Sequence, residues 1–411
     1  MNKKNKLNIL FYLINLKMEK ELMEANKNII FKQNNIFFLK DRFQKRKIEI
    51  FFIIFFLLIV VATFLFIGKK IILLNKAHIK SNSYQKNYRA LNQDIEPKIN
   101  KNKKILFIGS TGCDIIINYK KMPKLGETVF GENFTQKPGG KGITQALAAS
   151  SLGAEVGFLG AIGDDACGKI NKNDLENNNI KYYLKDAPKM NTQISTFFID
   201  EEGRSIITII PGANNLVDEQ QIDENEKLIN EYDIIVLQLE IPVETVEYII
   251  DIAYNKNKTI ILNLSPVQYI SKNILKKCNY VILDKNELSS ITGMSTDDDN
   301  QIELASQKMF ELGIQNLIVI LGENGSFLFN KDNSRFFRIL QDYLLGKTFG
   351  IKRENDYYVG AFANYLSNDY SLIGTLMNTN FAYRFYAKER YDIFPTKEEM
   401  AYTVSRMSFY T

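Results

Sequence analysis

The sequence predicts an α/β fold in which a mostly parallel central sheet carries a small β-sheet lid, with one apolar helix ahead of both. Three observations carry this expectation. From residue 104 onward, short apolar runs recur (KILFIGS, EVGFLGAIG, YDIIVLQLE, TIILNLSP, YVILD, NLIVILG), with helix-length segments such as 141–152, 243–255 and 300–313 between them. Strands alternating with helices build a parallel sheet covered on both faces. Two other stretches, ETVFGENFTQ and STFFIDEEGRSIITII, alternate apolar with polar residues, the second turning at Glu202-Gly203. That is the pattern of antiparallel strands wet on one side, and it places lid strands near 126–137 and 195–210. The third observation is IFFIIFFLLIVVATFLFIG, residues 50–68, nineteen residues without a charge.

Nineteen apolar residues match the length of a helix that crosses a bilayer. A buried core helix rarely runs so far without a polar face. A cleaved signal peptide would start earlier and end at a small-residue site. Residues 48–70 are therefore expected to be a transmembrane or signal-anchor helix, making a membrane one partner of the chain. It follows a basic extension, 1–47, and precedes a linker without clear periodicity, 71–103, and a folded body, 104–411. Arg46-Lys47 and Lys69-Lys70 flank it alike, so charge does not set its orientation.

At 411 residues, 45% of them hydrophobic, the chain can bury one large or two ordinary cores. Its net charge of +5 is unevenly spread: residues 1–104 hold 22 Lys and Arg against 7 Asp and Glu, which leaves 30 against 40 in the remainder. An acidic body argues against nucleic acid as its partner. The basic front suits a solvated tail near an anionic membrane surface. Cys113, Cys167 and Cys278 show neither metal spacing nor an even-numbered framework, and are expected to be reduced. The only histidine, His78, lies ahead of the body, which excludes histidine triads and histidine metal sites there.

The strongest chemical signal is PGGKGITQALAASSLGA, residues 138–154, two glycines and a lysine running into an alanine-rich helix. Glycines let a ligand approach the backbone, and the free N–H groups of a first helical turn bind oxygens. A glycine turn feeding a tightly packed helix is the alternative. The Walker A spacing is absent. Around it stand GSTGCD (109–114), GETVFGENF (126–134) and GAIGDDACG (160–168). In this order the motifs resemble the ribokinase family, within the wider PfkB group of sugar and nucleoside kinases. The resemblance covers roughly residues 104–402 and implies a ribokinase-like three-layer fold.

The resemblance implies a sugar site and a nucleotide site. Asp114 matches the acid that binds sugar hydroxyls, where a carboxylate suits a vicinal diol. Gly112 stands where the family often has a polar contact. Gly139, Gly140, Lys141 and Gly142 match the sugar-binding loop, and Thr144 replaces the usual asparagine, keeping a hydroxyl but not an amide's paired donor and acceptor. Glu240, closing the strand of QLEIP, matches a further sugar contact. Asp284 and Glu287 stand where the family carries N-x-x-E, which organises Mg²⁺ and phosphate, and Glu287 is the expected metal residue. LGENG, with Gly322, Asn324 and Gly325, matches the turn that lies along ATP.

The family then ends its catalytic segment with D-T-x-G-A-G-D and a small-residue helix. Here the segment reads RENDYYVGAFA, residues 353–363, so Asp356 matches the catalytic base and Asn355 a backbone position on the phosphate. Glu354 and Asn355 occupy the Ala-Gly positions of the anion hole, and a glutamate there would repel an anionic phosphoryl group. Phe349-Gly350-Ile351 replaces the D-T pair that helps hold a monovalent cation. Lys388-Glu389-Arg390-Tyr391-Asp392-Ile393 replaces a later glycine-bearing segment. The implied reaction is ATP- and Mg²⁺-dependent phosphorylation of D-ribose at its terminal hydroxyl. Three readings remain: an active kinase with an altered anion hole, a membrane-anchored sugar-binding pseudokinase, or a mispredicted stretch over 340–355. A kinase for another pentose or a nucleoside is a further alternative. The lid strands pair between subunits in many relatives, so a homodimer is expected.

Overall fold

A computed structural model describes residues 102–330 except Gly203, 337–339, 353–389 and 394–400, with six positions between Lys17 and Glu24. The chain divides into two units, 1–88 and 89–411. In the first, the six described positions are helical. No helix among the described residues is long and apolar enough to cross a membrane. The 50–68 segment lies outside the described residues, as do most of the linker, Phe349-Gly350-Ile351 and residues 390–393.

In the second unit, nine strands form one sheet in the order β13-β12-β11-β10-β9-β8-β1-β4-β5. These are β1 (Ile105–Ile108), β4 (Val156–Gly163), β5 (Lys181–Ala187), β8 (Ile234–Leu237), β9 (Thr259–Asn263), β10 (Tyr280–Asp284), β11 (Asn316–Ile320), β12 (Ser326–Asn330) and β13 (Phe337–Ile339). From β5 across to β11 every pairing is parallel, and β12 and β13 add an antiparallel edge. The apolar runs sit here because a strand covered on both faces has no polar side to show.

Period-two alternation divides these strands between two cores. Ile105 and Phe107 pack with helices α1 (Lys141–Ser151) and, late in the chain, Glu354–Ser367. Leu106 and Ile108 face the opposite core. The helices of that core are α3 (Val243–Asn255) and α5 (Asp299–Glu311). Helices α2 (Ala166–Asn177) and α4 (Lys285–Thr292) lie between them in sequence; α6 is Glu354–Ser367 and α7 is Leu372–Glu389. Helix on sheet on helix gives the three layers expected.

Helices α1 and α6 lie against each other, and small residues make that approach feasible. A Cβ on Gly360 would fall 2.3 Å from the Gln145 carbonyl oxygen. The GAFA run thus lets α6 lie close on α1.

The lid is a second sheet, β3-β2-β6-β7. Its strands are β2 (Gly112–Tyr119), β3 (Asn133–Gly139), β6 (Gln193–Asp200) and β7 (Ser205–Ile210). Two differences from expectation stand out. Residues 112–119 form a lid strand, so Asp114 sits within β2 and not in a turn after β1. The first expected strand starts only at Asn133, because its partner β2 ends opposite that point, with Asn118 paired to Asn133.

The cysteines also depart from the reduced state expected. Cys113 in β2 and Cys167 in the first turn of α2 form a disulfide, with Cα atoms 5.7 Å apart and a sequence separation of 54. No spacing motif signals a pair that meets only through the packing of α2 on the lid. Cys278 remains a buried thiol, pushed up to about 12 by burial.

Candidate active site

A cleft of about 620 Å³ opens between the lid and the carboxyl ends of the parallel strands, the usual ligand position in open α/β sheets. Its floor starts at the glycine loop. Gly139 ends β3, and Gly140 takes φ +94°, as N-cap of α1. A Cβ on Gly139 would lie 2.2 Å from Asp114 Oδ1, so the loop can pass that carboxylate only as glycine. Glu240, just past β8, braces the turn. Its Oε2 accepts from Ser110 Oγ at 2.6 Å, from the Lys141 backbone N–H at 2.9 Å and from Gln193 Nε2 at 3.4 Å.

Asp356 is buried in the first turn of α6. Gln145 Nε2 donates to its Oδ1 at 2.9 Å, and Lys141 Nζ stands 3.7 Å from the same oxygen. Burial pushes the Asp356 carboxyl up from 3.8 to about 6, against the opposing pull of Lys141 and Gln145. Lys141 is itself buried, yet Asp356, Glu240, Glu287 and Asp284 more than offset that burial and hold it as a cation. The result is a carboxylate close to neutral pH with one oxygen held by donors.

The turn before Asp356 keeps its backbone donors despite its side chains. The first intrahelical bond of α6 runs from the Tyr357 N–H to the Arg353 carbonyl at 3.0 Å. The N–H groups of Glu354, Asn355 and Asp356 precede it and have no intrahelical acceptor, as at any helix start. Such groups bind anions. Glu354 Oε2 accepts from Tyr383 Oη at 3.1 Å, and burial raises its carboxyl. Asn355 Nδ2 donates to Asp284 Oδ2 at 3.1 Å. Arg353 reaches across the cleft and donates to Asp114 Oδ2 from Nε at 3.0 Å and from Nη2 at 2.9 Å.

At the end of β10, Asp284 caps α4. Its Oδ1 accepts from the N–H groups of Asn286 and Glu287, while Glu287 Oε2 accepts from the Asp284 N–H. Burial and the adjacent Asp284 raise the Glu287 carboxyl. No group of three or more potential ligands stands together among the described residues. Mg²⁺ needs only one or two carboxylates when substrate phosphates complete its shell, and Glu287, lining the cleft beside Asp284, fits that role.

The structure brings Asp114, Gly140, Lys141, Thr144, Glu240, Asp284, Glu287, Asn355 and Asp356 onto one cleft. Gly112, Gly139 and Gly142 stand behind its lining. A Cβ on Gly112 would meet Gln193 at 3.1 Å, and one on Gly142 would meet the Ser110 N at 2.7 Å. Gly322 and Gly325, with φ of 60° and 83°, bracket the short turn that carries Asn324, away from the cleft lining. Sequence reasoning missed Gln145, Ser110 and Ser195. Gln145 carried a usable signal, since it follows Lys141 by one helical turn and shares its face. Arg353 stands out in the sequence as a bulky cation in the turn before Asp356, but nothing there signals its pairing with Asp114.

Residues 102–374 match the family model described as pfkB family carbohydrate kinase. Deoxyribokinase from Salmonella typhi is 30% identical over 266 residues, which cover 64% of this chain and 85% of that protein. Ribokinase from Haemophilus influenzae is 29% identical over 237 residues, 57% of this chain and 78% of that one. Among solved structures, ribokinase from Thermotoga maritima is 27% identical, with TM-score 0.64, 74% of this chain and 99% of that chain covered. Ribokinase from Arabidopsis thaliana, complexed with ribose and ATP, shares the fold with TM-score 0.67 at 24% identity, covering 73% and 98%.

Proposed function

The chain belongs to the pfkB family of carbohydrate kinases, whose ribokinase members transfer phosphate to a sugar hydroxyl, and on that premise we propose that it phosphorylates the terminal hydroxyl of a pentose of the D-ribose type from ATP. The observation that carries this reading is the placement of Asp356: a buried carboxylate near neutral pKa, in the same first helical turn as N–H groups without an intrahelical acceptor, and facing Lys141. Ribokinase and deoxyribokinase relatives support a pentose over a larger sugar.

In this mechanism the sugar hydroxyl hydrogen-bonds the Asp356 oxygen that Gln145 leaves open. As the hydroxyl oxygen forms a bond to the γ-phosphorus, the bond from that phosphorus to the β-bridging oxygen breaks, and the proton passes to Asp356. The N–H groups of Glu354, Asn355 and Asp356 take the negative charge on the transferred group. Lys141 keeps Asp356 ionised and orients it. Asp114 and Glu240 hold the sugar end. Mg²⁺ bound with the nucleotide near Glu287 would screen phosphate charge.

Two further proposals accompany this one. Membrane attachment through residues 50–68 rests on nineteen uncharged residues between basic pairs. Dimerisation through the lid rests on its exposed Phe134, Ile206 and Ile210, and a monomer by size-exclusion chromatography at micromolar concentration would count against it. The competing reading, a sugar-binding pseudokinase, rests on Glu354 and Asn355 standing at the Ala-Gly positions of the anion hole. Assaying the full chain for ATP turnover with D-ribose, beside calorimetry with D-ribose alone, separates them. Turnover lost in Asp356→Asn supports the kinase; binding without turnover selects the pseudokinase.

A further inference from the structure

We propose that Arg353 is a specificity-determining residue, which makes Asp114 a partner for one sugar hydroxyl and not for a vicinal pair. The inference rests on the sugar-kinase reading and concerns how its sugar site is divided.

A carboxylate has about four acceptor positions, two on each oxygen. Arg353 takes two of them on Oδ2, from Nε at 3.0 Å and Nη2 at 2.9 Å. That engages Oδ2 and leaves Oδ1, which lies against Gly139, as the oxygen open to a sugar, where an unengaged carboxylate could accept from both hydroxyls of a diol, one on each oxygen. The pair is sheltered, with side-chain exposures of 17% for Arg353 and 8% for Asp114. In that setting a double contact from a planar guanidinium is strong and geometrically selective, so a sugar does not displace it without cost. The neighbouring positions do not replace what Arg353 removes. Gly112 brings no side chain, and Thr144 offers a single hydroxyl.

An anionic substrate is the other reason to place an arginine in a sugar site, and the charges here disfavour it. The cleft is lined by two basic side chains, Lys141 and Arg353, and by Asp114, Glu240, Asp284, Glu287, Glu354 and Asp356. Arg353 is matched by Asp114, and Lys141 by the acids around it, so neither is a cation awaiting a sugar carboxylate or phosphate. A neutral pentose with a hydrogen in place of one hydroxyl of its vicinal pair fits better. It asks Asp114 for one hydrogen bond and leaves no sugar hydroxyl buried without a partner, an omission that would cost binding.

The test compares D-ribose with 2-deoxy-D-ribose on the full chain and on Arg353→Ala. The deciding quantity is the ratio of their kcat/KM values, because damage common to both sugars cancels in it. In wild type the ratio favours 2-deoxy-D-ribose. In Arg353→Ala it moves toward D-ribose by about 10- to 100-fold, the range expected for one hydrogen bond to a charged group, and the movement lies in the D-ribose KM. An unchanged ratio overturns the proposal. If Arg353→Ala does not fold, calorimetry on wild type decides: D-ribose bound tenfold or more tightly than 2-deoxy-D-ribose would overturn it, and the reverse order would support it. Turnover of neither sugar defeats the kinase reading alone, since the calorimetric ratio still answers the question about Arg353.

Discussion

The side-chain amide of Gln145 donates to Oδ1 of Asp356 at 2.9 Å and to Oδ1 of Asn263 at 3.0 Å. One glutamine therefore links the helix after the glycine loop, the end of a central strand and the first turn of α6. Both amide hydrogens are spent, so the amide cannot flip without losing two bonds. Asp356 is held from one side only, by groups that favour its ionised form. The acid at the start of α6 is thus an oriented carboxylate.

Asp356→Asn should keep the fold and lose activity. A positioned general base contributes about 10²- to 10⁴-fold, so kcat should fall within that range while sugar binding by calorimetry persists. Stability should move the other way. The native carboxyl holds its proton to about 6, where the unfolded group releases it near 3.8. Native stability therefore falls as pH rises through that window, by on the order of 3 kcal/mol once the group is fully ionised. The amide never ionises, so Asp356→Asn should melt higher than wild type at pH 7.5 and alike at pH 3. A lower melting temperature at pH 7.5 would show that the carboxylate is not strained by burial.

The pH profile follows from the same group. Below about 6 the base carries its proton, so kcat/KM should fall tenfold per pH unit on the acid side, with the break near that value. Lys141 and Gln145 both lower the Asp356 pKa. Lys141→Met and Gln145→Leu should each move the break to higher pH, and the lysine change should move it further. A break that stays in place in Lys141→Met would separate this lysine from the base.

The cysteine pair makes a stability prediction independent of catalysis. A cross-link closing 54 residues removes denatured-state freedom worth about 4 kcal/mol on the chain-entropy account. Unfolding in urea with and without a reductant should show a lower midpoint after reduction, and Cys113→Ser with Cys167→Ser should abolish the difference. Equal midpoints for oxidised and reduced wild type would refute a stabilising role.

How far the molecule is legible in its sequence depends on what kind of contact is asked for. Ile105, Phe107 and their neighbours announce themselves because a strand buried on both faces needs an unbroken apolar run. The glycine loop is legible because Gly139 and Gly140 serve a backbone geometry that few other residues tolerate. Gln145 could have been found from its one-turn spacing to Lys141. The Arg353–Asp114 pair spans 239 positions and the cysteine pair 54. Both exist only because the lid strand β2 folds over the main sheet. A strand's side-chain alternation says which face is wet; it does not say which helix end arrives opposite.

Glu354 supplies the last test, because its sequence position and its side-chain position point in opposite directions. By sequence it fills the anion hole and should oppose phosphoryl transfer. In the structure its Oε2 accepts from Tyr383 Oη at 3.1 Å. If Tyr383 restrains that charge, Tyr383→Phe should let it swing toward the phosphates, raising the ATP KM and lowering kcat, together by about tenfold for an interaction on the order of 1 kcal/mol in a partly screened cleft. Glu354→Ala removes the charge, and should match or modestly exceed wild-type activity. The double variant is decisive: with no carboxylate to restrain, losing the tyrosine hydroxyl should cost nothing more, so its activity should equal that of Glu354→Ala. Additive losses in the double variant would mean that Tyr383 acts through packing, and that Glu354 does not threaten the anion hole.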